Sequence, residues 1–189
     1  MKERILIIHK GGRVHTWCED LRLGFESLGH DARAVALRDR TPEERRIEKT
    51  QGLRLMANPA TITRLADAAR AHKPGTIVLL NSIGLPEQAH EALRNAAPGA
   101  RIIAWLADHV EKPPGNCQPN LDAVFPFDSA TIPLLENFYS GSTSQIRLLP
   151  LAANPQRFRN HGLPWNRRQP GLAFVGNHSK DRLDVIAQI

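Results

Sequence analysis

The chain has no apolar run long enough to cross a bilayer: the longest, Ile5 to Ile8 and Ile77 to Leu80, fall far short of the ~20 residues a spanning helix needs. No apolar leader core precedes the first strand-like run either, since Met1-Lys2-Glu3-Arg4 leads straight into it, so a cytoplasmic location is the expectation. Cysteine is scarce. Cys18 and Cys117 stand alone, without CxxC or Cys/His ligand spacing, which excludes a disulfide framework and leaves two reduced thiols. The eight histidines lack HxxxH and HExxH spacing, so no metal centre is expected. There is no G-x-G-x-x-G and no P-loop lysine, which disfavours a nicotinamide enzyme and a Walker-type nucleotide site. Internal repeats and low-complexity segments are absent as well.

What is present is a chain of 189 residues with 41% hydrophobic content, enough for one well-buried core but short for two complete domains. Lys and Arg number 25 against 19 acidic residues, and the formal net charge of +6 favours anionic partners without naming one. The basic residues concentrate between Arg33 and Arg54, at Arg38, Arg40, Arg45, Arg46 and Lys49, in a stretch of poor periodicity. Such a stretch can dock peripherally on anionic lipid at the inner membrane face, or simply be a solvated surface. Glu43, Glu44 and Glu48 interrupt it and no stacking aromatics accompany it, so nucleic acid is not an expected partner.

Strand and helix patterns alternate along the chain. Arg4 to His9 reads as a buried parallel strand ending at Gly11-Gly12. A helix follows in which Thr16 and Glu19 have capping-box spacing, Trp17, Leu21, Phe25 and Leu28 share a face, and Gly29 supplies the stop. Further strands are expected at Ala32 to Leu37, Thr76 to Asn81, Ala100 to Leu106, Ala123 to Phe127 and Ile146 to Leu151. Helices are expected after Asn58-Pro59, at Pro86 to Ala96 and at Ala130 to Tyr139. This is the rhythm of an α/β, Rossmann-like doubly wound parallel sheet, occupying residues 1–152. A proline- and arginine-bearing linker spans 153–170, and Leu172 to Val175 with a helix opening at Ser179 reads as the truncated start of a second domain, 171–189.

Ligands of open α/β sheets sit beyond the carboxyl ends of the strands, which makes a short list of candidates. After the first strand come Gly11, Gly12 and His15. The glycines let a ligand approach the backbone, the helix start attracts a negative group, and His15 can donate a hydrogen bond or act as a base. The same residues also suit a plain structural turn and a surface histidine. Asn81 and Ser82 follow the third strand, Asp108 and His109 the fourth, and Asp128 and Ser129 the fifth. Asp108 can accept a proton from an attacking hydroxyl; its alternative role is to shape a loop. Gly176-Asn177-His178-Ser179-Lys180-Asp181-Arg182 places two cations at the positive end of a helix, a conflict that an anion in the turn would relieve and that Asp181 and Asp184 partly neutralise.

Five features together resemble the CgeB-like (spore-maturation-protein-like) GT-B glycosyltransferases. They are Trp105-x-x-Asp108; the run Asp122-Ala-Val-Phe-Pro-Phe-Asp128; a helix followed by Gly141; Leu149-Pro150-Leu151-Ala152-Ala153-Asn154-Pro155 with Phe158; and Phe174-Val175-Gly176-Asn177 with Arg182. The resemblance spans residues 100–189, and the first hundred match in rhythm only. It implies a GT-B N-terminal domain that binds the acceptor, facing a second Rossmann-like domain that binds a nucleotide sugar. Gly176 and Asn177 would lie under the donor diphosphate with Ser179 and Arg182 beside them, and Asp108 would face the cleft. The implied activity is metal- and cofactor-independent transfer of a sugar from a nucleotide-sugar donor to a hydroxyl acceptor in surface glycan or polysaccharide synthesis. Most of the donor-binding domain is missing, so these residues are expected to be inactive alone. The rival expectation is a non-catalytic α/β module, receiver-like or sugar-sensing, for which the same sheet rhythm suffices.

Overall fold

The structure is a computed structural model that describes residues 2–11, 14–51, 58–80, 85–108, 121–152, 154 and 164–167. Its contacts divide the chain into Met1–Asn154 and Pro155–Ile189. In the second unit the described part is a 3-10 turn at Trp165–Arg167. The expected strand at Leu172 to Val175 and the helix from Ser179 lie outside the described residues.

The first unit is an α/β fold around a six-stranded, all-parallel, Rossmann-like sheet. In chain order its described elements are β1 (Arg4–His9), α1 (His15–Ser27), β2 (Asp31–Ala36), α2 (Pro42–Gln51), α3 (Pro59–His72), β3 (Thr76–Leu80), α4 (Glu87–Ala96), β4 (Arg101–Leu106), β5 (Ala123–Pro126), a 3-10 turn at Ser129–Thr131 running into α5 (Ile132–Phe138), and β6 (Gln145–Ile146). The strand order is β2-β1-β3-β4-β5-β6.

That order decides how each face is covered. A crossover between parallel strands is right-handed, so connections running in opposite directions along the sheet fall on opposite faces. Only β1 to β2 runs one way, and its helix α1 packs Cys18, Leu21 and Phe25 on Ile5, Ile7, Val78 and Leu80. The other steps run the opposite way, and α3, α4 and α5 bring Leu65, Leu93 and Leu135 to the other face, on Leu6, Ile8, Ile77, Leu79, Ile102 and Val124. The burial pattern records the result. β1 past its first residue and all of β3 are buried at every position, because helices cover both sides. In β4 only Ile102, Ala104 and Leu106 are buried, while Ile103 and Trp105 on the α1 side are half-exposed.

Several helix ends differ from the sequence expectation. Asn58 does cap α3, accepting from the Ala60 N–H at 3.0 Å with Pro59 in the first turn. The capping box assigned to Thr16 and Glu19 does not form: Val14 is the N-cap of α1, it provides no side-chain cap, and Thr16 is already inside the helix. The stripe packed on the sheet is correspondingly buried Cys18 with half-buried Val14, Leu21 and Phe25, whereas Trp17 is 46% and Leu28 75% exposed. The basic stretch also holds an unanticipated helix. Thr41 and Glu44 form the capping box of α2: the Thr41 N–H donates to Glu44 Oε2 at 2.5 Å and the Glu44 N–H to Thr41 Oγ1 at 3.1 Å. Glu44 is buried and ion-paired with Arg64 of α3 at 2.9 Å. The Arg64 guanidinium also donates to the carbonyls of Ala36 and Leu37 at 3.2 and 3.3 Å, tying α2 and α3 to the end of β2.

β6 is shorter than the expected Ile146 to Leu151. Pairing nonetheless continues beyond it, with the Arg147 and Leu149 N–H groups donating to Val124 and Pro126 carbonyls at 3.1 and 2.9 Å. Leu149 is the last donor of that ladder among the described residues.

Candidate functional site

The registers bring the carboxyl ends to one edge: His9 stands opposite Leu80, Leu80 opposite Trp105, and Trp105 opposite Phe125. Gly11, Asp108 and Asp128 each follow the end of their strand by two residues, so they share this edge. With strands ~4.8 Å apart, the β1 and β4 ends lie about 10 Å from one another and β5 about 5 Å further on. The helix directions diverge between β1 and β3, so the topological switch point, where doubly wound sheets open their ligand crevice, lies at His9 and Leu80.

Gly11 takes φ +84°, and a Cβ there would come within 3.1 Å of Arg38 Cβ and 3.6 Å of Ala36 Cβ. Only glycine holds this turn without strain. His15 is the first residue of α1 and is exposed. Asp108 is exposed just past β4 and is engaged with a neighbour. Asp128 is half-buried, and its Oδ1 accepts from the Ala130 N–H at 2.9 Å, so part of its carboxylate caps the turn into α5. Gly12, Asn81, Ser82, His109, Gly176, Asn177, Ser179 and Arg182 lie outside the described residues.

Sequence reasoning missed His9. It ends β1, is 1% exposed, and accepts the Gly11 N–H at Nδ1 across 3.2 Å. Its ring centroid lies 5.6 Å from that of His15. Burial first, then the His15 ring, hold its pKa below the ordinary imidazole value, against the opposing pull of Asp39 and Glu19. The signal was available: a polar residue closing an otherwise apolar central strand, directly before a Gly-Gly turn.

Compared with known proteins, the chain matches no family model and no curated sequence.

Among the described residues no group of three or more His, Cys, Asp or Glu side chains is placed to hold a metal ion. No described helix is long and apolar enough to cross a membrane. Cys18 is a free thiol, buried under α1, and burial followed by the Glu19 charge pushes its pKa up to about 12. It is therefore inert as a nucleophile. Cys117 lies outside the described residues.

A cavity of about 600 Å³ lies elsewhere. It lies on the α1 side of the sheet where no described helix covers β4 and β5, floored by Ile103, Ala123 and Phe125 and lined toward the amino ends by Glu3, Thr76 and Arg101. Those three are already engaged with one another. Thr76 donates to Glu3 Oε1 at 2.6 Å, and Arg101 to Thr76 Oγ1 at 3.3 Å. The Thr76 hydroxyl is the main cause that holds the Glu3 carboxyl below its usual pKa.

Proposed function

We propose that this chain is the acceptor-side domain of a GT-B-type, CgeB-like glycosyltransferase that moves a sugar from a nucleotide-sugar donor to a hydroxyl acceptor. The observation that carries the reading is Asp108, an exposed carboxylate at the carboxyl end of β4, on the same edge of a parallel sheet as the Gly11 turn and His15. A carboxylate so placed takes the proton of the attacking hydroxyl as its oxygen bonds to the anomeric carbon and the nucleoside diphosphate leaves. His15 is the second candidate base. The acceptor lies against Gly11, Gly12, Asn81, Ser82, His109 and Asp128. The diphosphate is held by Gly176, Asn177, Ser179 and Arg182 and by a second domain, and these donors stabilise the charge that develops on the leaving group.

A panel of nucleotide sugars and hydroxyl acceptors tests this. The 189-residue chain is expected to turn none of them over alone. Joined to a complete donor-binding domain it should transfer, and Asp108→Asn should lower kcat by about 100-fold or more with KM little changed. Robust turnover by the isolated chain, or an Asp108→Asn enzyme of full activity, contradicts the proposal.

One observation favours a second reading, a non-catalytic binding module: the order β2-β1-β3-β4-β5 is also that of single-domain flavodoxin-like folds. Saturable binding of a small ligand, with no transfer even in the presence of a donor-binding domain, would favour it.

A further inference from the structure

We infer that the outer face of α2 docks on an anionic lipid surface. Along the chain the basic stretch has mixed charge, but folding separates the two signs. Around a helix of 3.6 residues per turn, Glu44, Ile47 and Glu48 share one side, and Arg45, Arg46 and Lys49 share the opposite one. The first side is turned inward. Glu44 is buried and paired with Arg64 at 2.9 Å, Glu48 pairs with Arg40 and keeps a side chain only 13% exposed, and Asn58 Nδ2 donates to the Glu44 carbonyl at 2.9 Å. Arg45, Arg46 and Lys49 are exposed. Arg45 donates to the Arg40 carbonyl at 3.1 Å, a contact that leaves its charge in place.

Two of the acids that interrupt the stretch are therefore withdrawn, and Glu43 stays exposed on the flank of the cationic face. Ahead of the helix Arg33 and Arg38 are exposed as well, against Asp39. The outer side of α2 also carries no large apolar residue, so it attracts by charge rather than by insertion. A helix held down along its inner side suits a flat charged surface better than a nucleic-acid groove, and α2 has no aromatic side chain to stack on a base. Anionic headgroups are such a surface, and each Lys or Arg beside them raises partitioning by roughly fivefold.

The test is sedimentation of the 189-residue chain with phosphatidylglycerol vesicles, against vesicles of phosphatidylcholine alone. Binding is expected to the anionic vesicles at about 0.1 M salt and to be lost near 1 M, where the screening length falls to about 3 Å. Arg45→Gln/Arg46→Gln/Lys49→Gln keeps the Thr41–Glu44 capping box and the Glu44–Arg64 pair, and should weaken partitioning by about 100-fold. If circular dichroism shows that this variant has lost its fold, Arg46→Gln alone serves, with an expected loss of about fivefold. Lys2→Gln/Arg101→Gln/Arg147→Gln removes the same charge from exposed positions outside α2 and should weaken binding far less. Equal sedimentation with both lipids, an undiminished triple variant, an equal loss in the two triple variants, or capture by duplex DNA in place of vesicles overturns the inference. None of these outcomes depends on sugar transfer, so this surface and the glycosyltransferase reading fail separately.

Discussion

At the scale of single residues, His90 gives the sharpest expectation. It lies fully buried in α4, neither ring nitrogen has a hydrogen-bond partner, and burial, then the charge of Arg94, lowers its pKa to about 4. The unfolded chain takes up this proton near 6.5 and the folded chain does not until about 4. Folding stability is therefore fully present above pH 6.5 and falls as the pH drops toward 4, by up to about 3 kcal/mol from this one group. Urea unfolding across that pH range should show the slope. His90→Leu should flatten it and, by removing two unsatisfied buried nitrogens, stabilise the chain at pH 7 by about 1 kcal/mol. A slope unchanged in His90→Leu would mean that the ring is solvated. Gly11 makes the complementary case, since a side chain forces both a left-handed backbone and a contact with Arg38. Gly11→Ala should cost about 1–2 kcal/mol in the same measurement, and a cost below the error of the fit would show that the turn relaxes.

At the scale of elements, the sequence was legible wherever burial is symmetrical. β1 and β3, buried on both faces, read as uninterrupted apolar runs, and Asn58-Pro59 announced α3 because a side-chain cap and a proline in the first turn are local signals. α2 was illegible because its pattern is polar, and what anchors it is an ion pair. Its buried residue is Glu44, whose partner Arg64 is 20 positions away. The Thr41-x-x-Glu44 capping box was the local signal that could have found it. α1 misled in the other direction: Trp17 shares a helical period with Leu21 and Phe25, yet it turns to solvent because Val14 and Cys18 complete the stripe. The candidate site divides the same way. Position after a strand named Gly11, His15, Asp108 and Asp128, whereas His9 was hidden inside a strand. The anchoring of α2 carries its own prediction. Burial pushes the Glu44 carboxyl up, but the Thr41 N–H and Arg64 outweigh it and hold its pKa below the usual value. Arg64→Met leaves that carboxylate buried without its cation and should cost about 3 kcal/mol, with the Glu44 pKa rising above that in the native chain. A melting temperature within a degree of the native one would show that α2 does not depend on the pair.

At the scale of the whole molecule, one asymmetry organises everything described. A single connection runs leftward from β1, so among the described helices one face of the sheet receives α1 and the other receives α3, α4 and α5. The same reversal sets the topological switch point between β1 and β3 at the carboxyl edge, where such folds place a ligand, and a groove over Phe125 lies on the α1 face. Two places for a ligand follow, at opposite ends of the strands, and sugar transfer requires the first. The most direct test is amide shift mapping of the labelled chain with a panel of oligosaccharides bearing free hydroxyl termini. On the acceptor-side reading, saturable shifts cluster at Gly11, His15, Asp108 and Asp128. Shifts confined to Ile103, Phe125 and Thr143, or none with any member of the panel, would contradict it.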